Sequence, residues 1–283
     1  MIVLMRRVLP LALLAALAAT ALVGCGGATL DPVAQAASKT ADAGSFRFSF
    51  SISIGIDLSS FGGGAGSTGA QQSVALTGSG AYDKDARRLQ GSLAVEGKTF
   101  EMILDASEAA PALYMRPPAG EAGLPAGKTW AKVDLAKAAK QGGFDLGALT
   151  SAQLDPRKAV ELLKQAGASA KIGEEQIDGV ATTHYRVVVD PKTALGDLSE
   201  SERGQAEQML KLTGISTFPV DVWVDGAGML RRVAAQVGGA DALFSIKASL
   251  DLTDYGTPVT VDLPPADQVV EDSNLTPCLS PTG

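Results

Sequence analysis

The sequence predicts an α+β protein built on one large antiparallel sheet with a few short helices. Three observations predict this class. Apolar and polar residues alternate over long segments, turn sequences join those segments into hairpins, and helical periodicity is confined to short stretches. Nearly every predicted strand is apolar on one side only, and that side has to be covered. The predicted helices are few and short for so large a sheet, so either the sheet curls on itself or the covered space is partly empty and holds a ligand; a filled core is the simplest interpretation.

The segment 45–56 shows the alternation most clearly. Phe46, Phe48 and Phe50 are followed by three isoleucines at alternate positions, and serine, arginine and glycine occupy the positions between them. A period of two is incompatible with a helix and typical of a strand that has one apolar face and one polar face. We therefore expect a strand here whose apolar side faces the interior.

Ten further segments are predicted as strands on the same grounds. They span residues 74–82, 89–95, 100–104, 113–116, 128–133, 170–176, 180–189, 218–224, 229–237 and 242–252. Turn sequences such as Asp225-Gly226 separate neighbouring segments, and Asp-Gly is a strong hairpin signal. The sequence thus predicts about ten to twelve antiparallel strands joined mainly by hairpins.

Three short helices are predicted at 31–43, 155–167 and 199–212. The first has an alanine-rich stripe and ends at Gly44. The second begins with Asp155 as a good N-cap residue and Pro156 in the first turn. Ser199 and Glu202 have the spacing of a capping box, which predicts the start of the third.

The first 24 residues are organised as a secretory signal peptide. Arg6 and Arg7 precede an apolar run, residues 8–23, that is shorter than the ~20 residues a membrane span needs. The run ends in Leu-Val-Gly-Cys25, which resembles the bacterial lipobox, whose cysteine is acylated. Two or three acyl chains on Cys25 anchor a protein stably to a membrane. A plain signal peptide followed by an incidental cysteine is the alternative.

This organisation predicts a signal peptide over residues 1–24, an acylated N-terminus and tether over 25–32, one folded domain over 33–271, and a disordered tail over 272–283. We expect the mature chain to be held by lipid at the extracytoplasmic face of the cell membrane. Cys278, in the tail, is the other cysteine. It is predicted to be a free thiol, or else to form an intermolecular disulfide.

The charge of the mature chain excludes one class of partner. Loss of the two signal arginines lowers Lys+Arg from 24 to 22 against 31 Asp+Glu, so the net charge is 22 − 31 = −9. Binding to nucleic acid depends on Lys and Arg neutralising phosphates, and docking on anionic headgroups also requires basic residues. We therefore expect no nucleic-acid partner.

The sequence motifs that could indicate a catalytic site all lack the context that such a site requires. Residues 64–69 match G-x-G-x-x-G but open no predicted helix, so the dinucleotide-binding context is missing. His184 is the only histidine, too few for a zinc site of the usual ligands, and no G-x-S-x-G elbow accompanies it. Most carboxylates lie in predicted turns and helix starts. We expect no enzyme activity, no cofactor, no metal and a structural or surface role for His184.

Several short motifs occur in a particular order along the chain. They are the lipobox at Cys25, the alternating strand from Ser45, the glycines Gly78 and Gly80, Leu113-Tyr114-Met115-Arg116, Gly127-Lys128-Thr129-Trp130, Ile177-Asp178-Gly179-Val180 with His184-Tyr185, the run from Pro219 to Asp225, and Asp254-Tyr255-Gly256. In this order, over about residues 33–271, the chain resembles the actinobacterial LppX/LprAFG lipoproteins, relatives of the periplasmic carrier LolA.

The resemblance implies a LolA-like half-open barrel with helices across its mouth and an apolar cavity inside. It implies binding of a lipid or glycolipid, and transport of that ligand across the cell envelope, without catalysis. The apolar strand faces and one helix are then expected to line the cavity. The candidate lining residues are Phe46, Phe48, Phe50, Phe100, Met102, Leu104, Met209, Leu210, Phe244 and Ile246.

Two other functions remain open from the sequence. The same fold serves a sensor or regulatory lipoprotein that binds an envelope protein and carries no lipid. An exported hydrolase using His184 is a third hypothesis. The size of the apolar cavity distinguishes a carrier from a sensor, because a carrier needs several hundred cubic ångströms of apolar space.

Overall fold

The computed structural model describes residues 31–57, 71–108, 111–118, 124–134, 168–192, 203–204, 207–208, 210–211, 215–238 and 244–271. The lipobox, the predicted helix at 155–167 and the predicted tail at 272–283 lie outside the described residues. Of the helix predicted at 199–212, the described residues between 203 and 211 are helical. Within the described part of the chain, no helix is both long and apolar enough to cross a membrane.

One helix and twelve strands make up the described fold. The helix is α1 (Pro32–Asp42). The strands are β1 (Phe46–Asp57), β2 (Gln71–Asp83), β3 (Arg88–Val95), β4 (Lys98–Asp105), β5 (Ala112–Arg116), β6 (Trp130–Asp134), β7 (Ala170–Ile177), β8 (Val180–Val189), β9 (Phe218–Asp225), β10 (Leu230–Val237), β11 (Phe244–Thr253) and β12 (Val269–Glu271). The eleven predicted strands and the first predicted helix are confirmed, with ends that differ by up to three residues.

All twelve strands belong to one large curved sheet, in the order β12-β6-β5-β4-β3-β2-β1-β11-β10-β9-β8-β7. The predicted fold class is confirmed, and β7 and β12 form the two edges of the sheet. One strand that was not predicted, β12, departs from the antiparallel pattern and pairs with β6 in parallel. A three-residue strand contains too few residues to show a period of two, so the sequence could not predict it.

The pairing register brings apolar side chains into rows that cross the sheet. Directly paired residues lie on the same face, so each row can be followed from strand to strand. One row contains Tyr185, Val222, Val233, Leu250, Phe50, Gly78, Leu93 and Phe100. The next contains Val187, Val220, Ala235, Ala248, Ile52, Leu76 and Val95. We call this the inner face, and the opposite side the outer face.

Helix α1 packs on the inner face. Val33, Ala36 and Ala37 are at most 2% exposed and belong to a core cluster with Val222 and other inner-face residues of β8 to β11. The spacing of these three residues places them on one side of a helix, and alanine has the highest helix propensity. Their small side chains let the helix approach the sheet closely.

Polar contacts near the end of α1 fix its position. The hydroxyl oxygen of Thr40 accepts a hydrogen bond from the backbone N–H of Leu230 at 2.9 Å. The hydroxyl of Tyr255 donates to the carbonyl of the same leucine. Burial raises the pKa of Tyr255 well above its usual range, so this hydroxyl remains a donor. The helix is thus held by hydrogen bonds as well as by apolar packing.

The outer face is covered at the β4–β6 end by the chain that follows β11. Val261, 2% exposed, packs there against Ile103, Tyr114 and Trp130. Arg88 donates to the carbonyl oxygen of Val261 at 3.2 Å. This segment ends in a 3₁₀ turn, Ala266–Gln268, that leads directly into β12. The sheet therefore buries apolar side chains on its inner face under α1 and on its outer face under this segment.

Candidate functional site

The inner face is the candidate site because part of it remains open. Leu250 is 37% exposed and Val74 is 38% exposed, although both are large apolar residues. Leu250 is paired with Phe50 and Val74 with Ile54, so both lie on the inner face beside the central strand β1. Monomeric proteins rarely leave contiguous apolar surface exposed unless that surface binds something.

Two phenylalanine rings of β1 lie over glycines of β2. A Cβ placed on Gly78 would be 2.5 Å from the ring of Phe50, and one on Gly80 would be 2.7 Å from the ring of Phe48. The two rings are nearly parallel, with an interplanar angle of 19° and centroids 6.5 Å apart. Because the glycines have no side chains, the rings lie close to the backbone of β2 and form an aromatic floor.

The predicted lining residues occupy three kinds of position. Phe46 and Phe48 pack against the cluster beneath α1. Phe100 and Leu104 are 4% and 5% exposed and are therefore already buried among other side chains. Phe50, Met102, Leu210 and Ile246 are half-buried. Only the backbone of Phe244 is described, and Met209 lies outside the described residues.

Sequence reasoning did not select Val74, Leu76, Leu93 or Leu250 as lining residues. All four lie in predicted strands and alternate with polar or small residues. Val74 and Leu76 pair with Ile54 and Ile52, Leu93 pairs with Gly78, and Leu250 pairs with Phe50, so all four lie on the inner face. The available signal was this alternation, but it says nothing about which strands are neighbours.

A polar cluster occupies the outer face at the β7–β9 end. His184 is 7% exposed, and each of its ring nitrogens lies 2.9 Å from a carboxylate oxygen, Nδ1 from Glu175 and Nε2 from Asp221. His184 of β8 thereby links β7, through Glu175, to β9, through Asp221.

Trp223 and Arg186 complete this cluster. The indole ring stacks on His184 with centroids 4.3 Å apart, and its N–H donates to Glu175 at 3.0 Å. Arg186 donates to Asp221 through Nε at 2.8 Å and through Nη2 at 3.1 Å. The sequence left open whether the tryptophans belong to the core or to a cavity rim. Trp223 lies on the outer face, away from the exposed apolar surface.

The two carboxylates of the cluster have lowered pKa values. Burial raises the pKa of Asp221, but hydrogen bonds from Arg186 and His184 outweigh burial and lower it overall. The pKa of Glu175 is lowered first by the hydrogen bond from Trp223 and then by that from His184. Both groups are therefore stabilised as carboxylates. Among the described residues, no group of three or more acidic, cysteine or histidine side chains is arranged to hold a metal ion.

The lowered pKa of Asp221 predicts an acid-dependent loss of stability. A carboxyl group whose pKa is lower in the folded than in the unfolded chain stabilises the fold above its unfolded pKa, and this contribution is lost as the pH falls. We expect the free energy of unfolding, measured in urea, to fall as the pH drops below about 5 and to go on falling below the unfolded pKa of 3.8. Asp221→Asn should show a smaller fall. Parallel curves for the parent and the variant would contradict this prediction.

Comparison with solved structures gives similar folds at low sequence identity. The chain is similar to LprF. The crystal structure of LprF from Mycobacterium bovis matches with a TM-score of 0.45 and 15% identity over 82% of this chain and 95% of that one. The lipoprotein LppX of Mycobacterium tuberculosis matches with a TM-score of 0.41 and 17% identity over 82% of this chain and all of the other. Both names belong to the family that the motif order resembles.

Sequence comparison adds one curated relative. An uncharacterised 31.2 kDa protein of Streptomyces griseus, from the rplA–rplJ intergenic region, is 30% identical over 151 residues. The match covers 51% of this chain and 48% of the relative, so the chain spans about half the length of that protein. No family model matches the chain.

Proposed function

We propose that this chain is a membrane-anchored lipoprotein that binds the apolar part of a lipid or glycolipid on its inner face and carries it across the cell envelope. The observation that carries the proposal is the apolar surface around Phe50, where Leu250 and Val74 are exposed beside half-buried apolar neighbours. Covering such a surface is favourable by about 25 cal/mol for each Å² removed from water.

The chemistry of the inner face suits a hydrocarbon ligand. From Tyr185 to Phe100 the row through Phe50 consists of aliphatic and aromatic side chains and one glycine, and from Val187 to Val95 the row through Ile52 contains only aliphatic side chains; Lys171 and Lys98 pair at the ends of the two rows. Ala248, Ile52 and Leu76, in the middle of the second row, have no polar side-chain group, so an acyl chain displaces water there without leaving polar groups unsatisfied. The flat rings of Phe48 and Phe50 add polarizable surface at the centre.

Acylation of Cys25 would keep this surface close to a source of lipid. Seven residues, 25–31, separate the start of the mature chain from α1, and an extended chain of that length spans at most about 25 Å. A short tether raises the effective concentration of the membrane around the binding face. The anchor and the apolar face thus support the same function.

The lipid-binding proposal predicts that one charge on the inner face removes the ligand. The full chain is produced in an actinobacterial host and purified from membranes in a mild detergent. Native mass spectrometry then counts non-covalent lipid on each molecule. We expect about one lipid per parent chain, and at least tenfold less on Leu250→Glu, because a carboxylate in an apolar contact is costly to desolvate. Solvent extraction identifies the lipid.

Val188→Glu is the matched control. Val188 is 53% exposed and pairs with Pro219, which alternates with the inner-face residue Val220, so Val188 lies on the outer face. The same change at this position should leave the bound lipid unchanged. Equal amounts of lipid on the parent and on Leu250→Glu would show that the lipid adheres elsewhere on the protein and not at the inner face. A folded parent without lipid would count against a carrier and favour an envelope protein as the partner of this face.

A further inference from the structure

A groove of about 430 Å³ lies at the outer-face end of β8, β9 and β10, separate from the apolar surface around Phe50. Its polar lining comes from Arg186, Asp221, Thr217 and Gln236, and its apolar lining includes Phe218. Ligand sites commonly combine an apolar wall with a few convergent polar groups in volumes of about 300–1,000 Å³. The groove has both features.

The charged groups of the groove are held in place and neutralise one another. Two hydrogen bonds, of 2.8 and 3.1 Å, join the guanidinium of Arg186 to the carboxylate of Asp221. His184 contacts the same carboxylate from the protein side at 2.9 Å, so Asp221 cannot turn away. These bonds use Nε and Nη2 of Arg186 and leave the N–H groups of Nη1 outside the ion pair.

We propose that this groove binds a neutral polyhydroxylated group, such as a sugar ring. A hydroxyl both donates and accepts, so adjacent hydroxyls match the donor of Arg186 beside the acceptor of Asp221. The amide of Gln236 and the hydroxyl of Thr217 have the same dual capacity. An anion would face the carboxylate of Asp221 and a cation would face the guanidinium of Arg186, so the groove disfavours ions of either sign.

The apolar residues at the outer side of the groove suit the other face of such a ligand. The C–H face of a sugar ring is apolar, and Ile215 and Pro219 supply an apolar wall beside the polar groups. Because the ion pair already has its geometry before a ligand arrives, little side-chain ordering opposes binding. The site is therefore preorganised for hydroxyl recognition.

Saturation-transfer NMR on the full chain, in a detergent that carries no sugar, tests this proposal with methyl glucoside and methyl galactoside as probes. We expect saturation transfer from the protein to at least one of the two sugars, with a dissociation constant on the order of 1–10 mM. Gln236→Ala should reduce the transfer at least fivefold, and its exposed position preserves the fold. Lys247→Ala is the matched control, because Lys247 is exposed and paired with Gln236 but does not line the groove.

Asp221→Asn provides the sharper test of ligand class. Removing the carboxylate leaves Arg186 without its counter-charge, so this variant should lose at least tenfold in sugar affinity and gain binding of sulfate. No saturation transfer from the parent protein to either sugar would overturn the proposal. So would a parent that binds sulfate more tightly than sugar, or a Gln236→Ala variant that binds like the parent. Failure of lipid binding on the inner face leaves this test unaffected.

Discussion

Gly78→Ala is expected to lower the free energy of unfolding by about 3 kcal/mol, the upper end of the usual cost of overpacking. An added Cβ would lie 2.4 Å from the carbonyl oxygen of Ser92 and 2.5 Å from the ring of Phe50, closer than real Cβ contacts. The ring would have to rise from β2 and the β2–β3 pairing would have to widen. Urea unfolding of the full chain measures the loss.

Two further variants separate the causes of that loss. Gly173→Ala is the matched control, because an added Cβ at Gly173, also within a strand, has no atom within 4 Å. It should change stability by less than about 0.5 kcal/mol. In a Phe50→Leu background, the cost of Gly78→Ala should fall by about 1 kcal/mol, since contacting residues couple. Additive effects would show that the ring of Phe50 does not rest on Gly78.

Asp225→Ala is expected to destabilise the fold by about 3 kcal/mol, because it leaves buried donors without an acceptor. The side chain of Asp225 is 4% exposed. One oxygen accepts the backbone N–H groups of Ala227 and Met229, each at 2.9 Å, and the other accepts from Arg231 at 2.7 Å. These bonds close the β9–β10 turn. Leu230, just after this turn, donates its backbone N–H to Thr40 of α1. Thermal unfolding with van't Hoff analysis gives the change.

Asparagine at the same position keeps an acceptor for the two N–H groups but loses the charge opposite Arg231. We expect Asp225→Asn to cost about half as much as alanine, since hydrogen bonds to charged groups are the stronger ones. Asp262→Ala, at an exposed position, serves as the control and should change stability by less than about 0.5 kcal/mol. If Asp225→Ala, Asp225→Asn and the control Asp262→Ala lose the same stability, Asp225 does not close the turn in the way that its contacts indicate.

Much of the fold could be predicted from local patterns. The alternation around Phe46, Phe48 and Phe50 predicts a one-sided strand because successive side chains point to opposite faces. The spacing of Val33, Ala36 and Ala37 likewise predicts α1. Asp225-Gly226 predicts a hairpin because few residues adopt the backbone angles of a tight turn. In each case neighbours in the sequence carry the whole signal.

The sequence could predict which kinds of residue lie on the candidate lipid-binding face, but not which of them remain exposed there. Alternation places Phe100 and Leu104 on the same kind of face as Phe50, yet the structure buries them and leaves Leu250 and Val74 exposed. Burial depends on what packs over each part of the sheet. A period of two contains no information about that covering, so the open part of the face could not be separated from the covered part.

The sequence by itself determined the type of α1 and of β1 to β11, the apolar side of strands such as β1, and the carboxylates that close turns. Only the tertiary structure decided that Gly78 lies beneath the ring of Phe50 and that His184 lies between Glu175 and Asp221. It also decided that β12 pairs in parallel with β6. The physical reason is that each of these contacts joins different strands. The register between strands comes from the packing of the whole sheet, and no single segment specifies it.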